Sequence, residues 1–170
     1  MDQLVLKSQD VAILVKLLGR ADSSWRQVDI AYELDLSQGE IAKALVRLQK
    51  AALIHNKQPN RAAALEFLIH AVKYVFPAEL GPLSFGVPTA ISAKVHSTMV
   101  MSQEDTFVWP HQSGKKRGQS VTPLYPKLAD AALKDEQFYE VMAAIEILRL
   151  GRARERKRAE MFLQRRLKHA

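Results

Sequence analysis

No cysteine occurs in these 170 residues, which excludes a disulfide framework, a thiolate nucleophile and a cysteine-ligated zinc. Long hydrophobic runs are missing too. The apolar stretch from Val11 to Leu18 is interrupted by Lys16, and no segment approaches the roughly 20 apolar residues that a membrane span needs. The opening Met1-Asp2-Gln3 is acidic rather than basic and has no signal-peptide shape, so a cytoplasmic protein without membrane contact is expected. Glycine is sparse. Gly81 and Gly86 lie in a proline-rich connection with no helix signature after them, so no phosphate-cradling loop is present. The histidines at 55, 70, 96, 111 and 169 show no metal-ligand spacing, and Glu66 with His70 reads as a plain helix-face pair. The serines at 92, 97 and 102 have no nucleophile elbow around them, and Asp10, Asp22 and Asp29 show no organised pairing. No catalytic residue, metal or cofactor is therefore assigned, and a non-enzyme is expected.

What is present is a core and an uneven charge. At 48% hydrophobic residues the chain can bury a core without staples. Its net charge is +7, but residues 1–60 carry +1 and residues 61–150 carry none. Residues 151–170 hold eight basic and two acidic side chains, hence +6. That asymmetry points to a polyanion near the C-terminal segment, or else to a solvated helix face.

The densest signal is Trp25 to Ile54, WRQVDIAYELDLSQGEIAKALVRLQKAALI. Val28, Ile30, Ala31 and Leu34 are the apolar residues of a short helix, Asp35 and Leu36 form a turn, and Ser37 opens a second helix. Ser37 followed by Glu40 is a capping box. Ile41, Leu45, Leu48 and Ala52 then fall on one helical face. The opposite face carries Gly39, Lys43 and Lys50, flanked by Gln38, Ala42 and Arg47. A buried stripe backed by a small, polar and basic outer face suits insertion into a DNA major groove.

These 30 residues resemble the helix-turn-helix of winged-helix transcription regulators, the MarR-like group especially, in IAYEL, Asp35-Leu36-Ser37, Gln38-Gly39 and LVRLQKAALI. The resemblance implies a mainly α fold with a winged-helix core, and base reading by Ser37, Gln38, Gly39, Ala42 and Lys43. Gln38 can pair with adenine, Lys43 with guanine, and Arg47 is placed for phosphate or a neighbouring guanine. It also implies a homodimer formed by the terminal helices, Asp135 to Leu167.

Outside that stretch, a first helix is expected from Ser8 or Asp10 to Gly19, with Val11, Leu14, Val15 and Leu18 inward. The six residues His55 to Asn60, with Pro59 among them, are too few for the wing hairpin that usually follows directly. Asn60 caps a long apolar helix, Arg61 to Phe76, stopped by Pro77. This closes a first segment, residues 1–76. Residues 77–128 form a second, irregular segment: six of the seven prolines fall in 77–126, and Pro77 to Pro88 reads as extended loop. Within it Thr106–Trp109 and Gln119–Thr122 pair as a displaced β-hairpin wing, with Lys115, Lys116 and Arg117 at its tip against phosphate. Residues 129–170 supply two C-terminal helices, Asp135–Leu150 and RARERKRAEMFLQRRL. The latter has an inward stripe of Ala159, Phe162, Leu163 and Leu167 and leaves Arg154, Arg156, Lys157 and Arg158 outside, free to touch DNA.

The expected function is sequence-specific binding of double-stranded DNA by a dimeric regulator, a repressor. One alternative is an antitoxin-like or defence-associated regulator gripping a partner protein through residues 77–126, with Phe85, Trp109 and Tyr125 as anchors. The other is nonspecific nucleic-acid binding through the basic C-terminal helix.

Overall fold

The computed structural model describes residues 5–97 and 106–168; Met1 to Gln3, Ser102 and His169 lie outside the described residues. The chain is mainly helical with two small sheets. Helix α1 (Ser8–Leu18) is buried from Asp10 to Leu18, Lys16 included, because α2 (Gln27–Leu34), α3 (Gln38–Lys50) and α7 (Glu136–Leu150) all pack on it. An amphipathic helix with one inward face was expected; the structure surrounds it. Lys16 tolerates burial through ion pairs to Glu33 (3.2 Å) and Asp135 (2.6 Å) and by lying over the Phe138 ring. Burial alone would raise the Asp135 carboxyl, but hydrogen bonds from Lys16 and the Phe138 N–H outweigh it and hold the group below the usual aspartate value.

α2 and α3 form the expected pair, with Ile30, Ala31 and Leu34 buried from the first and Ile41, Ala44 and Leu48 from the second. Val28, expected inward, is exposed. Ala52 is not on the α3 stripe: the helix ends at Lys50, and Ala52 is exposed at φ 59°.

The expectation that residues 55–60 cannot form two paired strands is overturned. β1 (Ile54–His55) and β2 (Gln58–Pro59) pair antiparallel around Asn56 and Lys57, both at positive φ (45° and 66°). Two left-handed residues make the tightest turn compatible with strand twist, so two residues per strand suffice. Pro59 takes the ladder's end, where its missing N–H costs nothing.

From Asn60, whose side chain caps Ala63, the chain runs through α4 (Arg61–Glu66), a π-helical turn (Phe67–Ala71) and α5 (Val72–Val75). This was expected as one helix buried on several sides. Instead Leu68, Ile69 and Val72 are buried while Tyr74 and Val75 face solvent. Arg61 donates to the carbonyls of Leu18 (3.0 Å) and Leu167 (2.9 Å), satisfying free carbonyl groups at two helix ends.

The proline-rich segment holds a strand where a loop was expected. β3 (Leu80–Thr89) pairs antiparallel with β5 (Lys116–Val121) along its first half and with β4 (Phe107–Pro110) along its second. Pro82 falls in the register shift between Leu80 and Leu83, a position where no ladder donor is required. β4 and β5 pair parallel, Phe107 with Gln119 and Val108 with Ser120, so the three strands close on themselves. The expected β-hairpin wing is therefore not formed: its two strands run in the same direction. Closure presses the backbone of Gly114 against Gly86, where an added Cβ would lie 2.3 Å from the Gly86 Cα.

α6 (Leu128–Lys134), α7 and α8 (Ala153–Leu167) complete the chain. Asp135, expected as a helix residue, is the α7 N-cap and accepts from the Phe138 N–H at 3.1 Å. The α8 stripe is buried in the same chain, with Ala159, Leu163 and Leu167 packed inward, so it is not free to form the expected dimer interface. Residues of all three expected segments enter one continuous core. Among the described residues no helix is long and apolar enough to cross a membrane.

Candidate nucleic-acid interface

The start of α3 is built by its cap. Ser37 Oγ accepts from the Glu40 N–H (3.1 Å), and Glu40 Oε2 accepts from the Ser37 N–H (2.9 Å), so both groups are engaged in holding the helix end. The turn before it closes through the Leu36 N–H on the Ala31 carbonyl (3.0 Å), with Asp35 in the left-handed region at φ 54°. Tyr125 fastens the same corner from below, its hydroxyl donating to the Leu34 carbonyl at 3.1 Å.

On this frame the structure brings Ser37, Gln38, Gly39 and Lys43 together on the exposed side of α3, with Ala42 half-exposed beside them. Gln38 and Lys43 have no side-chain partner among the described residues. Gly39 is open as well: an added Cβ would meet nothing nearer than Ser37 Oγ at 3.9 Å. Nothing among the described residues requires a glycine there.

Arg47 does not belong to this surface. It is 6% exposed and forms a two-pronged ion pair with Asp10, Nε and Nη2 each at 2.7 Å from a carboxylate oxygen. Asp10 also accepts from the Lys7 N–H at 2.9 Å, so it caps α1 while clamping α3. The hydrogen bonds to Asp10 raise the Arg47 pKa above its ordinary value. The phosphate or guanine contact expected of Arg47 is withdrawn, because its charge is already matched and out of reach.

The β1–β2 hairpin follows α3 directly, and Lys57 at its tip lies over the Trp25 ring at 5.3 Å. Sequence reasoning missed this element, although an asparagine beside a strand end is the residue type that tolerates left-handed backbone and could have marked the turn.

The other expected contacts stand apart on separate elements. Lys115, Lys116 and Arg117 are exposed around the start of β5. Arg154, Arg156, Lys157 and Arg158 lie on the first half of α8, Lys157 standing 3.9 Å from Glu160. Of the aromatic anchors expected to grip a partner, Trp109 and Tyr125 are buried, and the Trp109 Nε1–H donates to the fully buried Glu146 at 3.1 Å. Phe85 alone faces solvent.

One histidine cluster has the residue types of a hydrolytic triad. His111 Nε2 lies 2.9 Å from Asp130, and His111 Nδ1 lies 2.9 Å from Ser113 Oγ. The Ser113 backbone N–H donates to the same Nδ1 at 3.2 Å, so that lone pair is shared and the arrangement is a turn clamp tying the 111–115 loop to α6. Among the described residues no group of three His, Asp or Glu side chains is placed to hold a metal ion. Comparison of the chain with family models, with curated proteins and with solved structures finds no match.

Proposed function

We propose that α1–α3 and the β1–β2 hairpin form a winged helix that binds double-stranded DNA with sequence preference. The reading rests on Gly39. A glycine in the middle of a helix is less stable than alanine by roughly 0.5–1 kcal/mol; Gly39, two residues past the cap, carries part of that cost, and no contact among the described residues explains it. A surface that must approach a base edge or phosphate closely does explain it. Around this point Gln38 and Lys43 supply a bidentate partner for adenine and a donor for guanine, and Lys57 supplies a cation at the hairpin tip. Each base contact is worth about 1–3 kcal/mol of discrimination, which is sparse for one helix. Two copies on half-sites about one duplex turn apart provide the rest. The contact between copies lies outside the α8 stripe, which the single chain already buries. Repression by occupancy is the simplest action of such a protein.

The test is a fluorescence-anisotropy titration across salt with the duplex upstream of the gene and a scrambled duplex. Preference for the upstream duplex by about 10³-fold or more, lost in Gln38→Ala/Lys43→Ala, is the expected result. Gly39→Ala is expected to raise thermal stability and weaken specific binding together. Unchanged specific binding in Gly39→Ala would remove the ground for the reading. A second reading is favoured by Arg154, Arg156 and Arg158 on α8, cations without an ion-pair partner among the described residues, which suit nonspecific binding of nucleic acid. It predicts equal affinity for both duplexes with a steep salt slope.

A further inference from the structure

The geometry points to the outer face of β3 as a docking surface for an acidic, amphipathic helix of a partner protein. This inference does not rest on the DNA reading. Leu83 and Phe85 are two residues apart on β3, hence on one face of the strand, and are 60% and 58% exposed. Leu80, beyond the bulge, adds a third large apolar side chain at 56%. Single exposed apolar residues are ordinary; three within six residues form a patch that calls for a cover.

Three features select the occupant. β5 takes one edge of β3 along Leu80–Gly86, and β4 takes the other over Gly86–Thr89, the His111 N–H extending that edge to the Phe85 carbonyl (3.3 Å), so a partner lying on the Leu83–Phe85 face is read by side chains. The rim is cationic: the register sets Arg117 directly opposite Phe85 and on its face, with Lys115 just before the strand, while Lys116, opposite Gly86, lies on the other face of the pair. None of these three cations has an ion-pair partner among the described residues. An apolar centre framed by unmatched positive charge complements apolar side chains flanked by carboxylates. Finally, Leu83 and Phe85 are about 6.6 Å apart along the strand, close to the ~6 Å rise between positions i and i+4 of a helix.

The same features argue against the other occupants. A second copy packed about a twofold axis would set Lys115–Arg117 against their own equivalents. A nucleic-acid strand would match the charge but gain no stacking from two leucines, since only Phe85 offers an aromatic platform.

The test selects a displayed library of randomised peptides, about 16 residues long or roughly four helical turns, on the immobilised full chain. Enriched sequences are expected to carry net negative charge with apolar residues at i and i+4. Their affinity is expected to fall about tenfold or more against Leu83→Ser/Phe85→Ser and against Lys115→Glu/Arg117→Glu, with unchanged circular dichroism. Lysine-for-glutamate versions should recover binding to the second variant, and Gln38→Ala/Lys43→Ala should bind as the parent does. The absence of enrichment, equal binding to the β3-face variants, or Phe85-dependent binding of an oligothymidylate would each overturn the proposal, the last making the face a nucleic-acid surface.

Discussion

Lys43 and Arg47 sit one helical turn apart on α3, and four residues advance a helix by about 400°, so the second is rotated only some 40° from the first. That small rotation carries Arg47 from the outer flank into the seam with α1, where Asp10 meets it with both carboxylate oxygens. Spacing alone could not separate the two side chains, because the partner that captures Arg47 is 37 residues away in sequence. The pair is almost wholly buried, so removing one member leaves the other's charge without water or a counterion. Arg47→Ala is therefore expected to destabilise the protein by about 3–5 kcal/mol in urea denaturation, while Arg47→Met/Asp10→Leu loses much less. A loss under about 1 kcal/mol for the single substitution is the figure for an exposed pair, and would return Arg47 to the surface.

At the scale of elements, most of what was legible is decided by neighbours in sequence, although the equally local β1–β2 hairpin was missed. The Ser37–Glu40 cap, the Asn60 cap, the stop after Leu18 and the α8 stripe all depend on residues within a turn of each other, and all are where the pattern placed them. The outer face of α3, Arg47 excepted, was legible for the same reason. Where pairing is non-local the reading was incomplete: β4 and β5 were expected as strands but as the two arms of a hairpin, and β3 as a loop. β3 has two prolines and no alternation, and it becomes a strand only because β4 and β5 arrive later in the chain to pair with it. The end of α3 shows a subtler error. Ala52 looked like the next apolar position of the stripe, but it is the left-handed residue of a Schellman turn. The Leu53 N–H bonds the Leu48 carbonyl and the Ala52 N–H bonds the Gln49 carbonyl, each at 3.0 Å. Alanine is a poor occupant of that backbone region, where its Cβ costs roughly 1–2 kcal/mol. Ala52→Gly is accordingly expected to stabilise the protein by about 1 kcal/mol, read as a raised urea midpoint at constant slope. A lowered midpoint would mean that Ala52 continues the helix.

For the whole molecule, the sequence suggested three segments and the structure joins them through α1 and α7, the two helices buried along most of their lengths. α8 shows what that joining implies for function. Its inner stripe packs on α7 and α4, and its last turn is held through Arg61, so the basic C-terminal helix is part of the core rather than a detachable arm. Its cations and its apolar stripe can therefore be separated by substitution but not by truncation. Leu163→Ala opens a cavity in a fully buried position and is expected to cost about 2–5 kcal/mol without altering the salt dependence of DNA binding. Neutralising Arg154, Arg156, Lys157 and Arg158 to glutamine leaves the packing intact, so the melting temperature should hardly move. If these side chains meet phosphates, the slope of log affinity against log salt becomes shallower by up to about 0.9 for each phosphate no longer neutralised, equally on upstream and scrambled duplexes. An unchanged slope in a folded quadruple variant assigns these charges to a solvated helix face and leaves α3 and the hairpin to carry the whole interface.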